Sequence, residues 1–112
     1  MSRSELRRAE RYAVQLAIHY RQDDLLWRQG RTENVSTSGV LFDPDPTGGP
    51  IDPGASLEMR LIMPPEVVGP VAARVVCAGS VVRTVPRTAQ AQSAMAATIV
   101  SYRFAQGDDD VW

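Results

Sequence analysis

A chain of 112 residues is one domain at most, yet long enough to bury a hydrophobic core without a disulfide or a metal to staple it. No stretch approaches the ~18 apolar residues of a membrane span, and the charged N-terminus lacks the apolar run of a secretory leader. The formal net charge of −1 is too small for a general nucleic-acid or membrane-surface binder.

The charge is unevenly distributed. Residues 1–31 carry seven Arg against Glu5, Glu10, Asp23 and Asp24, a balance of +3, and residues 32–112 carry a balance of −4. All twelve basic residues are Arg. Codon usage accounts for that total but not for the clustering, and Arg is the side chain that meets phosphates and guanines in a planar, paired geometry. The single Cys77 forms no internal disulfide and fits a reducing compartment, so a cytoplasmic location is expected.

The N-terminal stretch RSELRRAERYAV, residues 3–14, places Arg3, Arg7, Arg8 and Arg11 ahead of the first strand. It is open to three readings: a solvated helix start, a nucleic-acid arm or a ligand clamp. Residues 5–11 make at most one helical turn, too short to stand alone in water. In residues 12–20, YAVQLAIHY, one face collects Tyr12, Val14, Leu16, Ile18 and Tyr20 and the other Ala13, Gln15, Ala17 and His19. That alternation predicts a half-buried strand. Residues 21–26 read as a turn, and 27–35 as a polar, edge-like strand. Asn34 to Gly39, NVSTSG, is turn chemistry, leading into the short apolar strand Val40-Leu41-Phe42.

Residues 43–54, DPDPTGGPIDPG, are a loop with four of the eight prolines. Alternation of Leu57, Met59, Leu61 and Met63 predicts the next strand, ended by Pro64-Pro65. Residues 71–85 read either as one long strand bent or bulged at Gly79 or as two short ones. Residues 94–104, AMAATIVSYRF, form the last strand, and Asp108-Asp109-Asp110 lie in a polar tail. About six strands with no long helix predict a small antiparallel barrel or sandwich.

Catalytic chemistry has little to draw on. His19 falls on the polar face of its strand, where a solvated imidazole is the ordinary outcome. Cys77 lies in a Val-rich strand as a buried thiol. No Cys/His cluster has metal-ligand spacing, and no Gly-rich phosphate loop occurs. A non-enzymatic protein with no metal and no cofactor is expected. Two stretches stand out instead: Arg7-x-x-x-Arg11 and Asn34-x-Ser36-x-x-Gly39. Each alone describes many helix surfaces or turns; in this order around an alternating strand they are far more specific.

The pair resembles the signature of the PilZ domain family, bacterial receptors for cyclic di-GMP, in which R-x-x-x-R in an N-terminal arm precedes [D/N]-x-S-x-x-G between early strands. Here the motifs read RRAER at 7–11 and NVSTSG at 34–39. GSVVRTV at 79–85 and AMAATIVSYRF at 94–104 look like later strands of the family. Many members carry a further helix after the last strand, whereas this sequence ends eight residues beyond Phe104. The resemblance implies an all-β fold: a six-stranded antiparallel, PilZ-type (split) β-barrel with a flexible N-terminal arm and little helix. It divides the chain into an Arg-rich ligand-binding arm at 1–11, the barrel at 12–105 and an acidic tail at 106–112.

By the same resemblance, cyclic di-GMP is gripped at the barrel's outer rim by Arg7, Arg11, Asn34, Ser36 and Gly39, with Arg8 as an additional contact and Arg3 as a solvated bystander. The chemistry suits this ligand. Guanidinium groups match phosphate oxygens or the O6/N7 edge of guanine. Asn34 offers a donor and an acceptor to a guanine edge, Ser36 a hydroxyl to a base or phosphate, and Gly39 a close backbone approach. Ligand binding would fold the arm onto the barrel and change the surface shown to a protein partner, with the domain a monomer or a homodimer and no membrane insertion. Rival readings are a nucleotide-free PilZ-like adaptor and a basic-arm nucleic-acid-binding barrel. The few aromatics, of which Tyr12, Tyr20 and Phe42 read as core and Trp27 as exposed, argue against the second, so no direct nucleic-acid contact is expected.

Overall fold

A computed structural model describes residues 11–23, 25–47, 51–65, 69–85 and 93–105. Among these, six strands form: β1 (Ala17–Arg21), β2 (Arg28–Val35), β3 (Gly39–Asp43), β4 (Ser56–Met63), β5 (Ala73–Val85) and β6 (Ala94–Phe104). They close into a barrel in the order β1-β2-β3-β6-β5-β4, every neighbouring pair antiparallel. Closure leaves the sheet without two long open edges. The all-β barrel expected from the sequence is therefore the fold. The expected arm and tail fall on residues 1–10 and 106–112, which lie outside the described residues, apart from Arg11.

Side-chain alternation fills the interior. Ile18 and Tyr20 of β1, Phe42 of β3, Met59, Leu61 and Met63 of β4, Val75, Cys77 and Val81 of β5 and Met95 of β6 are buried in one cluster. Tyr20 and Phe42 pack with ring centroids 5.0 Å apart, a tilted pairing that contributes about 0.5–1.5 kcal/mol beyond the area it buries. Tyr20 stays hydrogen-bonded because its hydroxyl accepts the Asp45 amide at 2.8 Å, and burial raises its pKa. Ile51 is also buried, so an apolar side chain pins the Pro/Gly-rich β3–β4 connection to the core. Gly54 takes φ +92°, a conformation that excludes most side chains, and donates to the Val81 carbonyl at 2.7 Å.

Four local expectations are sharpened or corrected. First, β1 begins at Ala17 and not at Tyr12. The predicted faces persist through 12–16, with Tyr12, Val14 and Leu16 half-buried and Ala13 and Gln15 exposed. A continuous ladder does not: the segment pairs with β2 at Tyr12↔Val35 and next at Ala17↔Arg31, five residue steps against four. Second, residues 73–85 are a single strand, with register shifts against β6 at Ala78/Gly79 and Val81/Arg83. A Cβ at position 79 would collide with the Thr98 carbonyl, so glycine lets β6 approach here. Third, His19 is half-buried on the barrel's outer face, not solvated, and its Nδ1 is enclosed without a protein hydrogen-bond partner. Trp27, expected to be exposed, is half-buried, its ring covered by the guanidinium groups of Arg60 at 4.2 Å and Arg21 at 4.5 Å.

Candidate functional site

The Asn34–Gly39 motif straddles the end of β2, a three-residue turn and the start of β3. Val35 and Val40 are buried on either side, so the core fixes both ends of the turn. Ser36 organises the middle. Its Oγ accepts the amides of Ser38 and Gly39, each at 3.1 Å, while its own amide donates to the Gly39 carbonyl at 2.9 Å. The hydroxyl also lies 3.3 Å from the Gly39 carbonyl and from Ser38 Oγ. Ser36 is fully buried. The side chain expected to reach a base or phosphate is thus engaged inside the turn, where it accepts two backbone amides.

Gly39 is in the motif for space. Its φ lies outside the left-handed region, but a Cβ here would sit 3.0 Å from the Ala97 carbonyl and 3.4 Å from Arg11 Nη2. Bare backbone lets β6 and the Arg11 guanidinium close on the turn from two directions. On the β6 side, the Ile99 amide donates to the Ser38 carbonyl at 2.9 Å.

The segment preceding β1 crosses the same end of the barrel. Tyr12 and Val35 exchange backbone hydrogen bonds of 2.8 and 3.0 Å, forming an isolated antiparallel bridge. This places Arg11 beside the turn, and its Nη1 donates to Asn34 Oδ1 at 2.8 Å. Asn34 is neutral, so the contact leaves the guanidinium charge in place and leaves further N–H donors for another acceptor. Three of the expected site residues, Arg11, Asn34 and Gly39, therefore meet in one place, with Arg11 exposed, Asn34 half-buried and Gly39 buried, and Ser36 holds it from beneath. Arg7 and Arg8, and also Arg3, lie outside the described residues.

One contributor escaped the sequence reading. Thr32, two residues before the motif, is fully buried and bonds the crossing segment: its hydroxyl accepts the Leu16 amide at 2.8 Å and donates to the Val14 carbonyl at 2.7 Å. A lone Thr in a polar strand carries no signal of this in one dimension.

Other chemistry is sparse among the described residues. No group of three His, Cys, Asp or Glu side chains is placed to hold a metal. No helix is long and apolar enough to cross a membrane. Burial pushes the Cys77 thiol up to about 12, so it is protonated at neutral pH and a poor nucleophile. An open groove of about 520 Å³ runs between Gln29–Arg31 and Asp43–Pro46, at the opposite end of β2 and β3, and contains no motif residue. Its Asp45 carboxylate is held below the usual range by the Thr47 amide and hydroxyl, an internal turn contact.

Comparison with known proteins agrees with this architecture. No curated protein matches the sequence. Among solved structures, the Bacillus subtilis inhibitor of motility (MotI/DgrA) superposes with a TM-score of 0.68 at 18% sequence identity. The match covers 91% of this chain and 45% of that one, so this chain spans less than half of that protein's length. At that identity the likeness shows the shared fold. The PilZ domain model matches residues 5–110, nearly the whole sequence and both motifs, and the chain belongs to the PilZ domain family.

Proposed function

We propose that this domain is a cyclic di-GMP receptor module of bacterial second-messenger signalling, gripping its ligand between the R-x-x-x-R arm and the N-x-S-x-x-G turn. One observation carries the reading: the exposed Arg11 lies against Asn34 and above Gly39, so the two motifs share one place although the barrel could have kept them apart. The guanidinium there keeps its charge and donors for a phosphate or for the O6/N7 edge of guanine. Asn34 presents an amide to a guanine edge. Ser36 contributes by building the turn, and Gly39 by leaving room above it. Arg7 and Arg8 join the site by their spacing from Arg11.

The magnitudes require joint action. Micromolar affinity corresponds to about −8 kcal/mol, and a hydrogen bond to a charged group contributes about 1.5–3 kcal/mol. One arginine is insufficient, and arm and turn must act together. Folding the arm over the ligand would alter the surface offered to a protein partner in the cytoplasm, with no catalytic step and no further cofactor. A calorimetric titration with cyclic di-GMP tests the proposal, with Arg11→Ala and other nucleotides as controls. Saturable binding by the wild type, lost in the variant, is expected. Absence of both heat and thermal shift for the wild type would return the domain to a nucleotide-free adaptor role.

A further inference from the structure

We propose that Thr32 is a positioning residue of this site: its buried hydroxyl holds the segment before β1 on β2 and so sets Arg11 against Asn34. The ligand-affinity part of this inference rests on the cyclic di-GMP reading; the structural part does not.

The need for such a residue follows from a register mismatch. The segment pairs with β2 at Tyr12↔Val35 and at Ala17↔Arg31, so five residue steps on one side face four on the other. A regular ladder cannot run through that gap, and backbone amides and carbonyls inside it need other partners. Thr32 supplies them. Its amide donates to the Leu16 carbonyl at 2.8 Å. Its Oγ1 accepts the Leu16 amide at 2.8 Å and donates to the Val14 carbonyl at 2.7 Å. The hydroxyl thus stands in for a backbone group at the point where the ladder slips.

Water does not readily replace it, because Thr32 has no exposed surface and Val14 packs against the core beside it. Arg11 adjoins Tyr12, whose own bonds to Val35 are the next anchorage along the chain. Between Tyr12 and Ala17, the segment's backbone is held by the three bonds to Thr32 and by the Val14 amide donating to the Tyr12 carbonyl. Thr32 and Ser36 are both fully buried polar side chains; one secures the crossing segment and the other the turn, the two halves that Arg11 and Asn34 join.

The test compares wild type, Thr32→Val and Thr32→Ser. Valine keeps the shape and removes the hydroxyl, while serine keeps the hydroxyl. Two readouts are taken: the cyclic di-GMP dissociation constant, and hydrogen exchange at the Leu16 amide relative to the β4–β5 ladder. T32V is expected to weaken binding at least about tenfold and to speed Leu16 exchange while the β4–β5 ladder stays protected; T32S restores both. Wild-type affinity in a folded T32V protein overturns the inference, as does unchanged Leu16 exchange. If T32V does not fold, Thr32→Ala is read against T32S in the same way. No ligand binding by the wild type, with Leu16 exchange still accelerated in T32V, removes the ligand reading and upholds the anchoring.

Discussion

Arg11 donates from Nη1 to Oδ1 of Asn34 across 2.8 Å, although 23 residues separate them in the chain. The contact depends on three separate fixings: the Tyr12–Val35 bridge, the Thr32 hydroxyl and the Ser36-centred turn. Each fixing can be broken singly, so the site makes distinguishable predictions.

Arg11→Lys is expected to lose most of the affinity that Arg11→Ala loses. Lysine keeps the charge but offers a point donor, without the planar array that contacts Asn34 and a second acceptor together. With about 1.5–3 kcal/mol at stake, cyclic di-GMP binding should weaken roughly 10- to 150-fold in a calorimetric titration. Near wild-type affinity in the lysine variant would reduce the role of Arg11 to electrostatic attraction.

Gly39→Ala should separate binding from folding. The added methyl meets the Ala97 carbonyl at 3.0 Å and Arg11 Nη2 at 3.4 Å, so the neighbours must yield by tenths of an ångström. A modest stability loss of about 1 kcal/mol is expected. The guanidinium is displaced as well, and ligand affinity should fall further than the thermal midpoint suggests.

Ser36→Ala is expected to act on stability first. It strips the Ser38 and Gly39 amides of their common, buried acceptor. The cost should be about 1–3 kcal/mol, measured by urea denaturation. For a domain of this size each kcal/mol lowers the thermal midpoint by about 4–8 °C.

Gly79→Val should be the most damaging of the glycine substitutions, because the side chain is driven into the Thr98 carbonyl where β5 and β6 pair. Overpacking of this kind costs about 1–3 kcal/mol or more. A circular-dichroism melt should show a lowered midpoint, whether or not ligand is present.

The Cys77 thiol should resist alkylation in the native protein at pH 8 and react fully in denaturant. Burial raises its pKa from 9.0 to about 12, which disfavours the thiolate in the folded state alone. The sign follows: the unfolded chain loses its proton first as pH rises, so this group lowers stability between pH 9.0 and about 12 and has no effect below. Cys77→Val should flatten that part of the stability profile. Rapid native labelling at pH 8 would show that the thiol is not enclosed.

Much of this domain was legible in one dimension because a strand's alternation survives in the sequence whatever its partners. The faces of residues 12–20, the core positions of β4 and the extent of β6 follow from period-two patterning, and the two motifs gave the family. Where the strand begins was not legible, since Tyr12 to Leu16 alternate as well as Ile18 and Tyr20 do. The register of β2 decides that boundary, and register is a property of two strands. The burial of Ser36 was hidden for a related reason: a motif position reads alike whether its hydroxyl is exposed or enclosed in its own turn. Thr32 was invisible because its partners, Val14 and Leu16, lie 18 and 16 residues away. The sequence by itself determined which residues are apolar, where chain reversals fall and which arginines and turn residues are available for an anionic ligand. Tertiary structure alone decided that Arg11 meets Asn34, because that contact requires barrel closure, a slipped register and a buried hydroxyl to act together across distant parts of the chain.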